Sequence, residues 1–369
     1  MRKVVLTLVA GLALILGGSA AQTQETYHVG VTSRAFLRGD PAYNWRGAKT
    51  HALLTTVWYP ADSQAVQTPQ WVGDPPHPLA SAGSAAPDAP LAAEPARFPL
   101  ILLSHGTGGS ALMMAWLGTQ LAAHGYIAAA VDHPGNNALE PYTVEGFTLG
   151  WMRAVDLSMV LKAMLSDKEF GPRIDPARVG MAGFSFGGYT AMVIAGAAAN
   201  PISLEALEKT CAAGSRSIQC SSPPEFPGLT ARAIALAKAD PLYAHELKES
   251  ATPRPDRRVR AVFAIAPVDI DLSQASLAGI SIPVEIVAGA GDPIAVPAEN
   301  AEVLARAIPG AKLTLYPGGV GHYTFLDTCT AWGKQHMPGI CVDRPGVNRD
   351  AIHAETARKA LAFFDKELK

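Results

Sequence analysis

Gly183-Phe184-Ser185-Phe186-Gly187-Gly188 follows the apolar run at 177–182 (ARVGMA) and precedes a helical stretch beginning near Tyr189. A short apolar run, a sharp turn and a helix, with serine at the apex of G-x-S-x-G, is the local signature of an exposed nucleophile. The turn lifts the hydroxyl above the carboxyl edge of a sheet. Glycines two residues to either side relieve crowding with neighbouring backbone. The helix that follows turns its unpaired N–H groups towards any anion forming there. A glycine-rich turn that only packs is the plainer alternative, and the strand context and doubled glycine favour the nucleophile.

Working outward, short continuous apolar runs recur at 99–104 (PLILLS), 126–131 (YIAAAV), 259–266 (VRAVFAIA), 282–288 (IPVEIVA) and 312–316 (KLTLY). Such runs suit strands buried on both faces, as in a parallel sheet. Between them Leu157, Val160, Leu161 and Met164 recur at helical spacing, as do Ala357, Ala360, Leu361 and Phe364. The alternation predicts an α/β fold, a mainly parallel sheet flanked by helices. Two further strands are expected near the start, at 27–36 and 51–59. Residues 62–97, rich in Ala, Pro, Ser and Gly, read as a surface loop or a partly mobile excursion. Residues 197–256 break the alternation and read as an insertion at one end of the sheet, a possible lid.

A serine hydroxyl needs a base, and the base an orienting acid, which in this architecture follow in the order Ser, acid, His. The run at 282–288 leads into Gly289-Ala290-Gly291-Asp292, and the run at 312–316 into Pro317-Gly318-Gly319-Val320-Gly321-His322. Ser185, Asp292 and His322 are therefore the expected catalytic set, each on a loop after a strand. Asp269 and Asp271, after the preceding strand, are rival acids. His353, within the terminal helical pattern, reads as a surface residue, and His336 lies between two cysteines. Oxyanion donors are expected from the backbone N–H of Phe186 and of Thr107, the latter in His105-Gly106-Thr107-Gly108-Gly109 after the run at 99–104. No Gly-Lys-Ser/Thr follows to make that loop a nucleotide-phosphate cradle. His105 reads as a brace for the loop, and His133, in Asp132-His133-Pro134-Gly135, as pocket lining or as a second brace.

With these residues in view the chain resembles the α/β-hydrolase superfamily. Within it the chain is similar to the dienelactone-hydrolase-like group related to platelet-activating-factor acetylhydrolases. The matching stretches are VWYPA (57–61), HGTGG (105–109), VDHPG (131–135), GFSFGG (183–188), the GAGD loop ending at Asp292, and GHYTFLD (321–327). The resemblance implies ester hydrolysis. Dienelactone hydrolases proper carry a cysteine where this chain has Ser185. The acetylhydrolases take their acid after the preceding strand, whereas Asp292 follows the commoner placement. A lactone or phospholipid acyl hydrolase of the same fold, a peptidase, and an exported binding protein on this scaffold are the other readings.

Composition bounds these expectations. Hydrophobic residues make up 49% of 369 and charged residues 17%, which excludes disorder over most of the length. Thirty basic against 32 acidic side chains leave no general footprint for nucleic acid. Arg2 and Lys3, an apolar run at 4–16 and small residues at 17–21 read as a signal peptide over 1–21, with an exported hydrolase domain over 22–369 and no permanent membrane anchor. The four cysteines fall as two close pairs, and disulfides Cys211–Cys220 and Cys329–Cys341 are expected in an oxidising compartment, each contributing about 3 kcal/mol. Neither pair has the spacing of a zinc site. The expected partner is a small-molecule ester, and no metal or organic cofactor is called for.

Overall fold

The computed structural model describes residues 26–37, 52–201, 204–214, 220, 223 and 225–368. The signal peptide expected over 1–21 lies outside the described residues. Ten strands among them form one sheet: β1 (His28–Leu37), β2 (Ala52–Ala61), β3 (Thr68–Val72), β4 (Ala80–Pro87), β5 (Phe98–Ser104), β6 (Ile127–Val131), β7 (Ile174–Phe184), β8 (Val259–Ile265), β9 (Val284–Gly289) and β10 (Lys312–Tyr316). Their order across the sheet is β10-β9-β8-β7-β5-β6-β2-β1-β4-β3. From β10 to β6 every neighbour is parallel; β2 joins β6 antiparallel and β1 joins β2 antiparallel.

The apolar runs are central strands because both of their faces are covered. Along β5, Leu100 and Leu102 enter one core, Ile101 and Leu103 the other, as the period of two requires. Helices Met152–Ser166, Phe186–Ala195 and Ala301–Ala307 cover the first face. Helices Ala115–Ala123 and Arg349–Glu367 cover the second. Crossovers of this kind bring the carboxyl ends of β5, β7, β9 and β10 to one edge.

Residues 62–97 depart from the expected surface loop. They contain β3 and β4, which pair antiparallel, and β4 adds to β1 in parallel through Gly30 with Ala86. The sequence of β4, ASAGSAAP, has little intrinsic strand preference. Its Ala82 and Ala85 are buried in the second core, and the small Gly83 lies against Thr119 of helix Ala115–Ala123. Tertiary packing overrides propensity here.

Among the described residues, the insertion after helix Phe186–Ala195 contributes three helices, Leu204–Ala212, Leu229–Ala239 and Pro241–Glu249. Cys211 is bonded to Cys220, and Cys329 to Cys341. No helix among the described residues is long and apolar enough to cross a membrane.

Candidate active site

The elbow begins where β7 ends. Ser185 has φ 55° and ψ −115°, a left-handed conformation that costs a non-glycine residue of order 1–3 kcal/mol. The turn is held by hydrogen bonds: the Ser185 N–H donates to the carbonyl of Ile265 at 2.9 Å, and the N–H of Gly188 and of Tyr189 donate to the Ser185 carbonyl. The surrounding glycines are steric requirements. A Cβ on Gly183 would lie 2.1 Å from the carbonyl oxygen of Gly187, and one on Gly187 would lie 1.9 Å from that of Ser104. Helix Phe186–Ala195 starts on the residue after the serine, three residues earlier than the pattern near Tyr189 indicates.

Asp292 and His322 come to the same edge on the loops after β9 and β10. The Ser185 hydroxyl lies 2.8 Å from His322 Nε2, and His322 Nδ1 lies 2.7 Å from Asp292 Oδ2. The other carboxylate oxygen of Asp292 accepts the N–H groups of Ile294 and Ala295 at 2.8 and 2.9 Å, which fixes its direction. The two loops interlock through glycine: a Cβ on Gly289 would lie 2.2 Å from the carbonyl oxygen of Val320. The imidazole packs between Phe184 and Tyr323. All three members are mostly buried, and Ser185 keeps 6% exposure.

The rival acid stays away. Asp269 accepts the Leu272 N–H at 3.0 Å, and burial raises its carboxyl pKa. Asp271 accepts from the Asn200 side chain instead.

The loop after β5 lies against the elbow. A Cβ on Gly106 would lie 3.3 Å from that of Ser185. Among the described residues, the N–H groups of Thr107 and Phe186 have no hydrogen-bond acceptor, whereas Gly108 N–H donates to Asn136 Oδ1 at 2.7 Å and Gly109 N–H to the Gly106 carbonyl. His105 braces this loop. Its Nδ1 lies 2.7 Å from the Gly106 carbonyl oxygen and its Nε2 accepts the His133 N–H, an arrangement that sets the tautomer. Burial first, then the Arg153 cation and His133, hold the His105 imidazole neutral, well below its ordinary pKa. His133 is fully buried and contacts Ser104 and Asp156, so of its two readings the brace describes its place. Asp132 accepts the Ala111 N–H at 2.7 Å, and burial raises its carboxyl pKa to about 6.

Two histidines outside the set lie apart from it. His336 stacks on Trp332. His353, expected at the surface, is buried: its ring stacks on Trp116 and its Nε2 lies 2.9 Å from the Thr324 carbonyl oxygen. His353 is four residues before Ala357 and so falls on the apolar stripe of its own helix.

Arg153, Asp156, Ser104 and Asn136 were not marked by motif, yet they surround the loops just described. A signal was available for Arg153, which lies four residues before Leu157 on the helix face that enters the core.

Residues 78–148 match the family model of platelet-activating factor acetylhydrolase, isoform II. Among solved structures, a ferulic acid esterase from Streptomyces cinnamoneus superposes with a TM-score of 0.61 and 23% sequence identity, covering 95% of this chain and 92% of that one. A comparison with curated proteins found no match. The sheet order, the elbow after β7 and these likenesses agree that the chain has the α/β-hydrolase fold and is similar to the platelet-activating factor acetylhydrolase group.

Proposed function

We propose that this protein is a serine carboxylic-ester hydrolase working through an acyl-enzyme. The observation that carries the reading is the continuous contact from Ser185 Oγ through His322 to Asp292, at 2.8 and 2.7 Å. His322 takes the Ser185 proton as the hydroxyl attacks the ester carbonyl. Asp292 holds the imidazole by Nδ1 and stabilises the imidazolium that forms. The N–H groups of Phe186 and Thr107 receive the oxyanion, aided by the N-terminus of helix Phe186–Ala195. The imidazolium returns its proton to the departing alcohol, and the same base then activates water to cleave the acyl-enzyme. The first step needs a neutral imidazole.

The substrate is a small-molecule ester. The names of the two likenesses, an acetylhydrolase and a ferulic acid esterase, support a carboxylic ester without fixing its acyl group. Two residues of the insertion, Phe226 and Leu229, pack with Phe147 and Tyr142, and the Tyr142 hydroxyl donates to the Gly108 carbonyl at 3.2 Å, which places this part of the insertion beside the Thr107 loop. The signal-like start and two disulfides support export, with the hydrolase domain spanning 22–369.

Labelling with a fluorophosphonate probe, run beside a panel of esters of graded acyl length, tests the reading. Wild type labels with one equivalent and turns over esters, and Ser185→Ala does neither while keeping its thermal midpoint. A folded wild type that fails to label is a binding protein on this scaffold. Full turnover in Ser185→Ala removes the serine mechanism.

A further inference from the structure

Helix Met152–Ser166 sends two charged side chains into the core below the candidate site, Arg153 and Asp156. The Arg153 Nη2 donates to the carbonyl of His105 and, at 3.3 Å, to Ser104 Oγ. Its Nε donates to Thr190 Oγ1 at 3.1 Å, and the guanidinium lies 4.7 Å over the Phe186 ring. Thr190 in turn donates to the Phe186 carbonyl at 2.9 Å. Beside it Ser104 Oγ lies 2.9 Å from His133 Nε2, and His133 Nδ1 lies 3.0 Å from Asp156 Oδ2.

The contacts of Arg153 divide between two segments. Ser104 and His105 lead into Gly106-Thr107, and Phe186 and Thr190 belong to the helix after the elbow. These are the segments that carry the two oxyanion donors, and they come from different strands. A hole made of two segments works only if their separation is fixed before the reaction, to within about 0.5 Å. A planar guanidinium with five donors in a rigid fork can fix such a separation, and an ammonium cannot. Burying a cation is costly unless it is paired and hydrogen-bonded, so the helix that carries Arg153 cannot shift without breaking those contacts.

We infer that Arg153 is a positioning residue of the oxyanion hole, bridging the Thr107 loop to the Phe186 helix from beneath and setting the spacing of their N–H groups. The inference rests on the proposed serine mechanism and adds the device that aligns it.

The test compares Arg153→Met, Arg153→Lys and Thr190→Val with wild type. Turnover is counted per fluorophosphonate-labelled site, and each variant is also titrated with a boronic acid that forms a tetrahedral adduct on the serine. Arg153→Met lowers kcat per labelled site about 10- to 100-fold with KM within about threefold, a smaller loss than deleting a donor outright. Boronate affinity falls by the same factor. Arg153→Lys, which keeps the charge but not the fork, does not restore kcat. Thr190→Val, which removes one anchor and leaves the cation in place, lowers kcat about threefold and boronate affinity alike. Should Arg153→Met fail to fold, Thr190→Val carries the test. Unchanged kcat per labelled site and unchanged boronate affinity, with only a lower thermal midpoint and fewer labelled molecules, would overturn the inference and leave Arg153 a structural residue. Full turnover in Ser185→Ala would instead remove the site reading beneath it.

Discussion

Among the described residues stand two Ser–His–Asp chains, one above the other. At the rim, Ser185, His322 and Asp292 are linked at 2.8 and 2.7 Å; beneath, Ser104, His133 and Asp156 are linked at 2.9 and 3.0 Å. Residue types and bond lengths barely differ. The surroundings do. Ser185 is held at φ 55° just before a helix, with the N–H groups of Thr107 and Phe186 unpaired among the described residues and a small exposure. Ser104 ends a central strand, and all three members of its chain are 0% exposed. On the proposed function the same trio therefore does two kinds of work. Hydrogen-bond geometry alone does not make a nucleophile; access and a place for the oxyanion are needed as well.

The comparison breaks most easily at the serines. Ser185→Ala is expected to lower ester turnover at least about 10⁴-fold at unchanged thermal midpoint, and Ser104→Ala by less than about tenfold. Equal losses in steady-state kinetics would erase the distinction. At the acids, Asp292→Asn lowers kcat about 10³- to 10⁴-fold by releasing the imidazole from its orientation. Asp156→Asn acts on stability instead, lowering it by about 3–5 kcal/mol in urea unfolding because it leaves a buried network short of its anion. A variant with the reverse pattern would exchange the roles of the two chains.

The backbone that separates the two levels can be tested with one methyl group. Gly187→Ala would force a Cβ to within 1.9 Å of the Ser104 carbonyl oxygen, so a loss of about 3 kcal/mol is expected in chemical denaturation. A fully stable variant would show that the elbow and β5 can move apart.

Smaller effects come from pH, where sealed groups report on stability and rim groups on activity. Burial holds the Asp327 carboxyl up at about 8, against the opposing effects of the Trp116 N–H bond and the Arg349 cation. The folded protein then binds a proton that the unfolded chain releases above about pH 4. Asp327 therefore makes stability fall as pH rises from about 4 to about 8. His353 has the opposite sign. Burial lowers its pKa to about 4, the unfolded chain takes a proton below about 6.5, and stability falls as pH drops through that window. Asp327→Asn should flatten the alkaline limb and His353→Gln the acid limb, each by roughly 1–3 kcal/mol in unfolding free energy measured across pH. Limbs that keep their slope in these variants would show that other groups set them.

The central strands were legible because both of their faces are buried, which writes continuous apolar runs into the sequence; β10 keeps the bounds expected of it and β5 and β6 shift by one residue. β4 was not legible, since its alanines and serines become a strand only by packing against helix Ala115–Ala123, and β3, whose sequence is TPQWV, is a strand by pairing with β4. The elbow was legible because its glycines are demanded by backbone clashes within a few residues. Asp292 and Asp269 looked alike in the sequence, as both follow a strand, and only the fold shows which of them reaches His322.

The chain's own order of residues determined the strand–turn–helix at Ser185 and the parallel sheet, because those depend on contacts between near neighbours and on which runs must leave water. The tertiary structure decided which acid meets the imidazole, that His353 is buried, and that Arg153 ties two distant segments together. Those depend on pairings between residues tens to hundreds of positions apart, which local pattern does not record.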